Sequence, residues 1–293
     1  MGADILLLSR DLKLVDYADI TTKQLLEKID ERTICVLSPA LYDVMGSIIE
    51  LVENASYTLV DLKSTSLTDM NDVEAAVSFG LDINDIARSE PLVVVSFRGV
   101  NSIASVCKII NSSPYADMGL VCPKDSEEVV KFASFFLKNR PTATFEECTC
   151  CVLKPRSIID RLVGSIIHSI VSRGFIISAI QMFRMERSAA AEFLELYDGV
   201  LPEYKDMVNE MCSGPVIALE VRLNPSISCE KNIVDAFRSH AGPWDEHMAK
   251  EIAPNSIRGK FGNVIHCTDL PKDGVHEVDY FFNILNGAHY IDR

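Results

Sequence analysis

No histidine occurs before residue 168, and all six lie in the second part of a 293-residue chain. Imidazole chemistry is therefore excluded from the first part. Basic residues are also scarce: 28 Lys and Arg against 42 Asp and Glu leave a net charge of −14. Such a balance excludes general binding to nucleic acid or an anionic membrane, because the electrostatic contribution is repulsive. A phosphate-bearing ligand then needs a local cationic cluster set against the overall field. Nine cysteines are present without a paired CxxC or a Cys/His ligand spacing. Cys148, Cys150 and Cys151 open an apolar run that reads as a strand, and the chain reads as reduced and intracellular. Long uncharged apolar runs are lacking, which excludes a membrane-spanning helix. "MGADILLLSR" holds too short an apolar core for a signal peptide, and Leu6 breaks the myristoylation pattern. The expectation is a soluble, cytoplasmic protein.

What is present is a duplication. At 48% hydrophobic and 24% charged, the composition is that of a globular chain, and its length suffices for two domains. "TICVLSP" (33–39) matches "TCCVLKP" (149–155) at five of seven positions. "GSIIELVENASYTLVDLKS" from Gly46 follows the same course as "GSIIHSIVSRGFIISAIQM" from Gly164. "PLVVVSFR" (91–98) then matches "PVIALEVR" (215–222), and "FASFF" (132–136) parallels "VDYFF" (278–282). The preserved order makes this a tandem repeat. It divides the chain into an extension (1–30), a first domain (31–137), a linker (138–147, "KNRPTATFEE") and a second domain (148–293).

In the second copy, "CCVLKP" is a buried strand ended by proline. The run from Ile158 to Val171 has helical spacing and stops at Gly174. Strands "FIISAIQMF", "PVIALEV" and "NVIHCT" follow, with helices around "AAAEFLELY", "EYKDMVNEM", "CEKNIVDAFRSH" and "HEVDYFFNIL". The predicted fold class is α+β: two tandem ferredoxin-like (split βαβ) domains, each an antiparallel sheet with helices on one face.

The first copy is shorter by about 22 residues between the position of Arg222 and that of Phe281. By this alignment the missing part corresponds to the region holding Arg238, Arg258 and Asn263. Ser38 stands where the second copy has Lys154, and Leu120 or Val121 where it has His266. A neutral imidazole is a nucleophile, and with an ordinary pKa of about 6.5 it is roughly three-quarters neutral at pH 7. Phosphoryl transfer needs an in-line nucleophile and cations on the equatorial oxygens. Lys154, Arg238 and Arg258 supply candidate cations. Asn263 offers hydrogen bonds to a ribose hydroxyl, and Glu277 a carboxylate to orient the ring of His266. His168 falls on the polar face of its helix, while His240, His247, His276 and His289 carry no motif. Trp244, the only tryptophan, reads as a packing or interface anchor.

"LKP", "SGP", "SIRGKF" and "NVIHCTD" resemble, in order, the motifs of nucleoside diphosphate kinases across nearly all of residues 148–288. The resemblance implies ping-pong transfer of a γ-phosphate between nucleotides through a phosphohistidine, with Mg2+ carried on the phosphates of ATP or another nucleoside triphosphate. By position it makes His266 the phosphorylated residue and Lys154 the lysine near the transferred group. Arg238 and Arg258 become phosphate-binding, Asn263 ribose-contacting, Tyr204 base-stacking, and Glu277 the orienting carboxylate. Thr268 takes the place of the hydroxyl residue two after the histidine. The family's tyrosine near the phosphates falls at Leu194, a small hydroxyl residue falls near Trp244, and the connection from Phe261 to Asn263 is shortened. "ECTCCVLKP", "AIQMFRMER" and "HCTDLPKDG" are similar to two-domain ciliary members of the family, and "LSRDLKLVDYAD" (8–19) to the end of their N-terminal module. That likeness implies nucleotides as ligands, tubulin and other axonemal microtubule proteins as partners, and a place in the axoneme of a cilium or flagellum. Two readings follow, an active second domain beside an inactive first, or a pair of domains that mainly form a microtubule-bound scaffold.

Overall fold

The computed structural model describes residues 4–7, 10–13, 19–67, 69–86, 91–116, 118–224 and 232–287. His289, Cys229 and most of the 8–19 motif lie outside these residues. Strands β1 (Asp4–Leu7) and β2 (Arg10–Lys13) pair with each other, and α1 (Ile20–Ile29) follows. The first copy runs β3 (Glu31–Leu37), α2 (Met45–Asn54), β4 (Thr58–Thr65), α3 (Met70–Ser78), α4 (Ile83–Ile86), β5 (Leu92–Gly99), α5 (Ser102–Asn111), β6 (Leu120–Val121) and α6 (Ser126–Phe136). The second begins with β7 (Cys148–Leu153), α7 (Pro155–Ile159), α8 (Val163–Ser172), β8 (Phe175–Arg184), α9 (Arg187–Phe193), α10 (Tyr204–Met211) and β9 (Pro215–Leu223). It ends with α11 (Ile233–Ala241), α12 (Glu246–Ile252), α13 (Ile257–Phe261), β10 (Ile265–Cys267) and α14 (Gly274–Asp279), continued by a π-helical turn, Tyr280–Leu285.

The two copies share one antiparallel sheet of eight strands, ordered β10-β7-β9-β8-β4-β5-β3-β6. Each half of that order is the split βαβ pattern, and the halves meet where β4 pairs with β8. The seam pairs Lys63 with Gln181, which are equivalent positions of the repeat. Pairing of like with like is what a two-fold relation requires. Both seam strands also carry a register shift at the equivalent places, Leu59/Asp61 and Ile177/Ala179.

Across the same seam α2 crosses α8 at Gly46 and Gly164, again equivalent in the repeat. A Cβ on Gly46 would sit 2.4 Å from the His168 nitrogen, and one on Gly164 only 2.1 Å from that of Glu50. Backbone-to-backbone approach of this kind leaves room for glycine alone. Ser47 Oγ lies 3.0 Å from His168 Nδ1, and its counterpart Ser165 donates to Glu50 at 2.7 Å. His168 is solvent-exposed, as its helical position predicts, yet it takes part in this seam.

Helices cover both faces of the sheet, not one. The principal core packs α2, α5, α8 and α11 on Cys35, Val95, Leu153 and Leu219 and runs unbroken through both copies. On the opposite face, α3, α4 and α6 cover Ile34 and Val94, while α9, α10 and α14 cover Cys150, Val152 and Ala218. The reason is legible in β7: "CTCCVL" is buried at every position and does not alternate, the pattern of a strand covered on both sides. Burial pushes the Cys150 and Cys151 thiols well above their ordinary range, so these residues behave as core.

Residues 138–147 are held against the sheet. The Thr144 and Phe145 N–H groups donate to the buried Glu220 carboxylate at 2.8 and 2.6 Å, and the Ser178 hydroxyl donates to it as well. The interval missing from the first copy is also located. Residues 112–119 join α5 to β6, where residues 242–264, with α12 and α13, join α11 to β10. The helix bearing Arg238 is therefore retained in the first copy as α5, and the loss falls on α12, on Arg258 and α13, and on Asn263. In register terms Val121 faces Val36 as His266 faces Val152, so Val121 is the residue at the histidine's place.

Candidate functional site

Strand alternation places the central groups. His266 lies opposite Val152, and Lys154 follows two residues along β7, on the same face of the sheet. The Lys154 N–H extends the ladder to the Val264 carbonyl before Pro155 starts α7. Both side chains are therefore directed to the face covered by α9, α10 and α14.

His266 is only 8% exposed. Its Nε2 lies 3.0 Å from Glu277 Oε2, supplied by the first turn of α14. Thr268 Oγ1 donates to that same oxygen at 3.0 Å. Phe193 meets the imidazole edge-on at 5.0 Å between centroids, and Tyr197 at 6.4 Å. An ionised Glu277 only accepts, so Nε2 carries the proton in the neutral ring and Nδ1 keeps its lone pair.

His266, Lys154 and Arg258 line one cavity of about 310 Å³. Lys154 is 7% exposed and forms an ion pair with Glu210 of α10 at 2.9 Å. Burial pulls the Lys154 ammonium below its usual range and Arg258 adds to this, while Glu210 opposes them. Arg258, 6% exposed, donates to the carbonyls of Gly242 at 2.7 Å and Ile265 at 3.3 Å. Its Nε is buried without a partner, and among the described residues no carboxylate pairs with it. Gly242 has φ +83°, and a Cβ there would lie 2.2 Å from Ser256 Oγ, so only glycine holds that carbonyl in place.

Other expected residues stand apart from the cavity. Arg238 is half-exposed and bonds Asp269, to the carbonyl at 2.7 Å and the carboxylate at 3.6 Å. Asp269 does line the cavity, so Arg238 reaches it through that residue. Asn263 is not in the lining, and its Oδ1 is buried without a partner. Tyr204 is directed away, its hydroxyl donating to the Ala191 carbonyl at 3.2 Å. Thr268 is fully buried, does not appear in the cavity lining, and donates to the Glu277 carboxylate.

Three lining residues carry chemistry that the sequence motifs did not single out. Glu210 is the partner of Lys154. Asp269, the last residue of "HCTD", accepts from the Tyr197 hydroxyl at 2.6 Å. Burial, reinforced by Asp269, holds the Tyr197 phenol well above its ordinary range. Tyr197 lies three residues, close to one helical turn, beyond Leu194, which stands at the position of the family's tyrosine. Leu194, Val200, Leu201, Met207 and a 44% exposed Trp244 form the apolar wall. Trp244, read from the sequence as a packing or interface anchor, lines this cavity. Among the described residues no group of three or more His, Cys, Asp and Glu is arranged to hold a metal ion, and no helix is long and apolar enough to cross a membrane.

A protein-family description, "Nucleoside diphosphate kinase", matches residues 147–286. "Nucleoside diphosphate kinase homolog 7" of Mus musculus is 31% identical over 325 aligned positions, covering 98% of this chain and 80% of that protein. The "Nucleoside diphosphate kinase" of Aquifex aeolicus is 32% identical over 144 positions, 47% of this chain and 96% of that one. A crystal structure of the Aquifex enzyme superposes with a TM-score of 0.42 at 29% identity, covering 47% of this chain and 96% of its own. This chain belongs to the nucleoside diphosphate kinase family, a family of nucleotide-binding phosphotransferases.

Proposed function

We propose that the second copy transfers a γ-phosphate between nucleotides through His266, and that the first copy is catalytically inert. The observation that carries this reading is the shared cavity of His266, Lys154 and Arg258, with Glu277 holding the far ring nitrogen. Nδ1 attacks the γ-phosphorus in line, the bond to the β-phosphate oxygen breaks, and the nucleoside diphosphate leaves. A terminal oxygen of a second diphosphate then attacks the phosphohistidine and restores neutral His266. Arg258 and Lys154 balance charge on the equatorial oxygens, the lysine exchanging its Glu210 partner for phosphate. Mg2+ enters on the nucleotide phosphates. The apolar wall with Trp244 receives the base. In the first copy Ser38 and Val121 stand at the places of Lys154 and His266, so neither nucleophile nor cation is available there.

The test is labelling of the purified chain with γ-labelled ATP. Acid-labile, base-stable label that passes to added nucleoside diphosphate is expected, and none in His266→Ala. An unlabelled wild type, or equal label in the variant, overturns the reading.

A second reading, a structural role on axonemal doublet microtubules, is favoured by the first copy's intact fold and seam despite its missing chemistry. It rests on resemblance to ciliary relatives. Co-sedimentation with microtubules undiminished in His266→Ala supports it, and absence from the pellet counts against it.

A further inference from the structure

A second cavity, of about 580 Å³, opens where α8 and α11 end against the α12–α13 connection. It shares no lining residue with the His266 cavity. Arg173 and Lys260 bring two full positive charges, and neither has an ion-pair partner among the described residues. Ser169, Ser239, His240 and Asn255 add hydrogen-bonding groups, and Ser169 is itself 9% exposed. Among the described residues no carboxylate lines this space, in a chain with a net charge of −14.

Helix ends attract cations, which is the plainer explanation of Arg173 and Lys260. Each helix end supplies only about half a negative charge. Two ends therefore offset about one of the two cations, and a positive excess remains. His240 registers that excess. Its Nε2 is 3.4 Å from Ser169 Oγ, and its ring lies against Phe175 at 5.7 Å and Phe237 at 6.3 Å. Burial, then Arg173 and Lys260, lower its pKa to about 4, so the imidazole is neutral at pH 7 and can offer a ring N–H.

We propose that this cavity binds a tetrahedral dianion of the phosphate class, held by Arg173 and Lys260 with the serine hydroxyls and His240. Two cations, donor groups on Ser169 and Asn255, and a lining without carboxylates among the described residues suit a phosphate group. The Ser172, Ser239 and Ser256 hydroxyls donate to backbone carbonyls and would turn from them to reach it. The site does not depend on the kinase reading. It is linked to that cavity through α13, which carries Lys260 and Arg258, and through α11, which carries His240 in this lining and Arg238 bonded to Asp269 of the other.

The experiment titrates the full chain with inorganic phosphate, with O-phosphoserine, and with chloride at matched ionic strength. The ring N–H signal of His240 is followed by NMR. A saturable shift with phosphate is expected, at least tenfold weaker in Arg173→Gln/Lys260→Gln and retained in His266→Ala. Both substituted residues are exposed, so the fold is kept. Tighter binding of O-phosphoserine assigns the site to a phosphorylated side chain; equal or tighter binding of inorganic phosphate assigns it to the free anion. Equal shifts with chloride, no shift with phosphate, or wild-type titration of the double variant overturns the proposal.

Discussion

One oxygen atom, Glu277 Oε2, receives both the His266 ring and the Thr268 hydroxyl. An ionised carboxylate there favours imidazole protonated on Nε2, and in the proposed transfer it would stabilise the positive charge that develops on the ring as Nδ1 attacks phosphorus. Glu277→Gln keeps the shape and removes the charge. The expected outcome is a phosphotransfer rate about tenfold to a hundredfold lower with nucleotide KM little changed, read from steady-state kinetics. Under the proposed function, Trp244 fluorescence would report nucleotide binding independently, since it is the only tryptophan and lines the cavity. At this scale the sequence disclosed what strand geometry governs. Lys154 directly follows β7 and His266 sits on the neighbouring β10, where period-two alternation sets the face. Arg238, Asn263 and Tyr204 lie on helices and connections, where spacing does not settle which way a side chain is directed. Glu210 and Tyr197 were illegible for the same reason: only the packing of α10 and of the turn after α9 brings them to Lys154 and Asp269.

The crossing of α2 and α8 shows how an element is fixed by what it lacks. Gly164→Ala would drive a methyl group into the backbone of α2. The expected cost is about 2–4 kcal/mol, because the obstacle is main chain and cannot rotate away. Urea unfolding monitored by circular dichroism checks it, with Gly287→Ala, which meets nothing within 4 Å, as the uncrowded control. The repeat and the succession of strands and helices along the chain were readable from the sequence, whereas helices were expected on one face of the sheet and cover both. The second helical layer was readable too in the non-alternating β7, but a one-faced sheet is expected only of alternating strands. The shared core could not be read, because it arises where two copies join and neither copy contains that contact by itself.

For the whole molecule, the seam includes a buried acid. Glu53 is 1% exposed, accepts the Gly164 N–H at 2.9 Å, and leaves its other oxygen without a partner. Burial raises its pKa to about 7 from 4.5. A raised carboxyl pKa means that the fold favours the protonated form. Its contribution is fully present below pH 4.5 and is lost as pH rises through 7. The difference in unfolding free energy between Glu53→Gln and wild type should therefore grow in the variant's favour from pH 5 to pH 8, by about 2.5 kcal/mol. A constant difference across that range would refute this account. The pH profile is read by urea titration, with a single transition expected because the core runs through both copies.

The residue four beyond the crossing glycine is Glu50 in one copy and His168 in the other, each meeting a serine of the opposite helix. In a homodimer every mutation at the axis is duplicated, so such a mismatched pair never arises there. Covalent fusion frees the two sides of the axis to diverge. Selection can then act on each face separately, leaving nucleotide chemistry to one while the other accumulates changes that a self-associating ancestor would have had to endure twice.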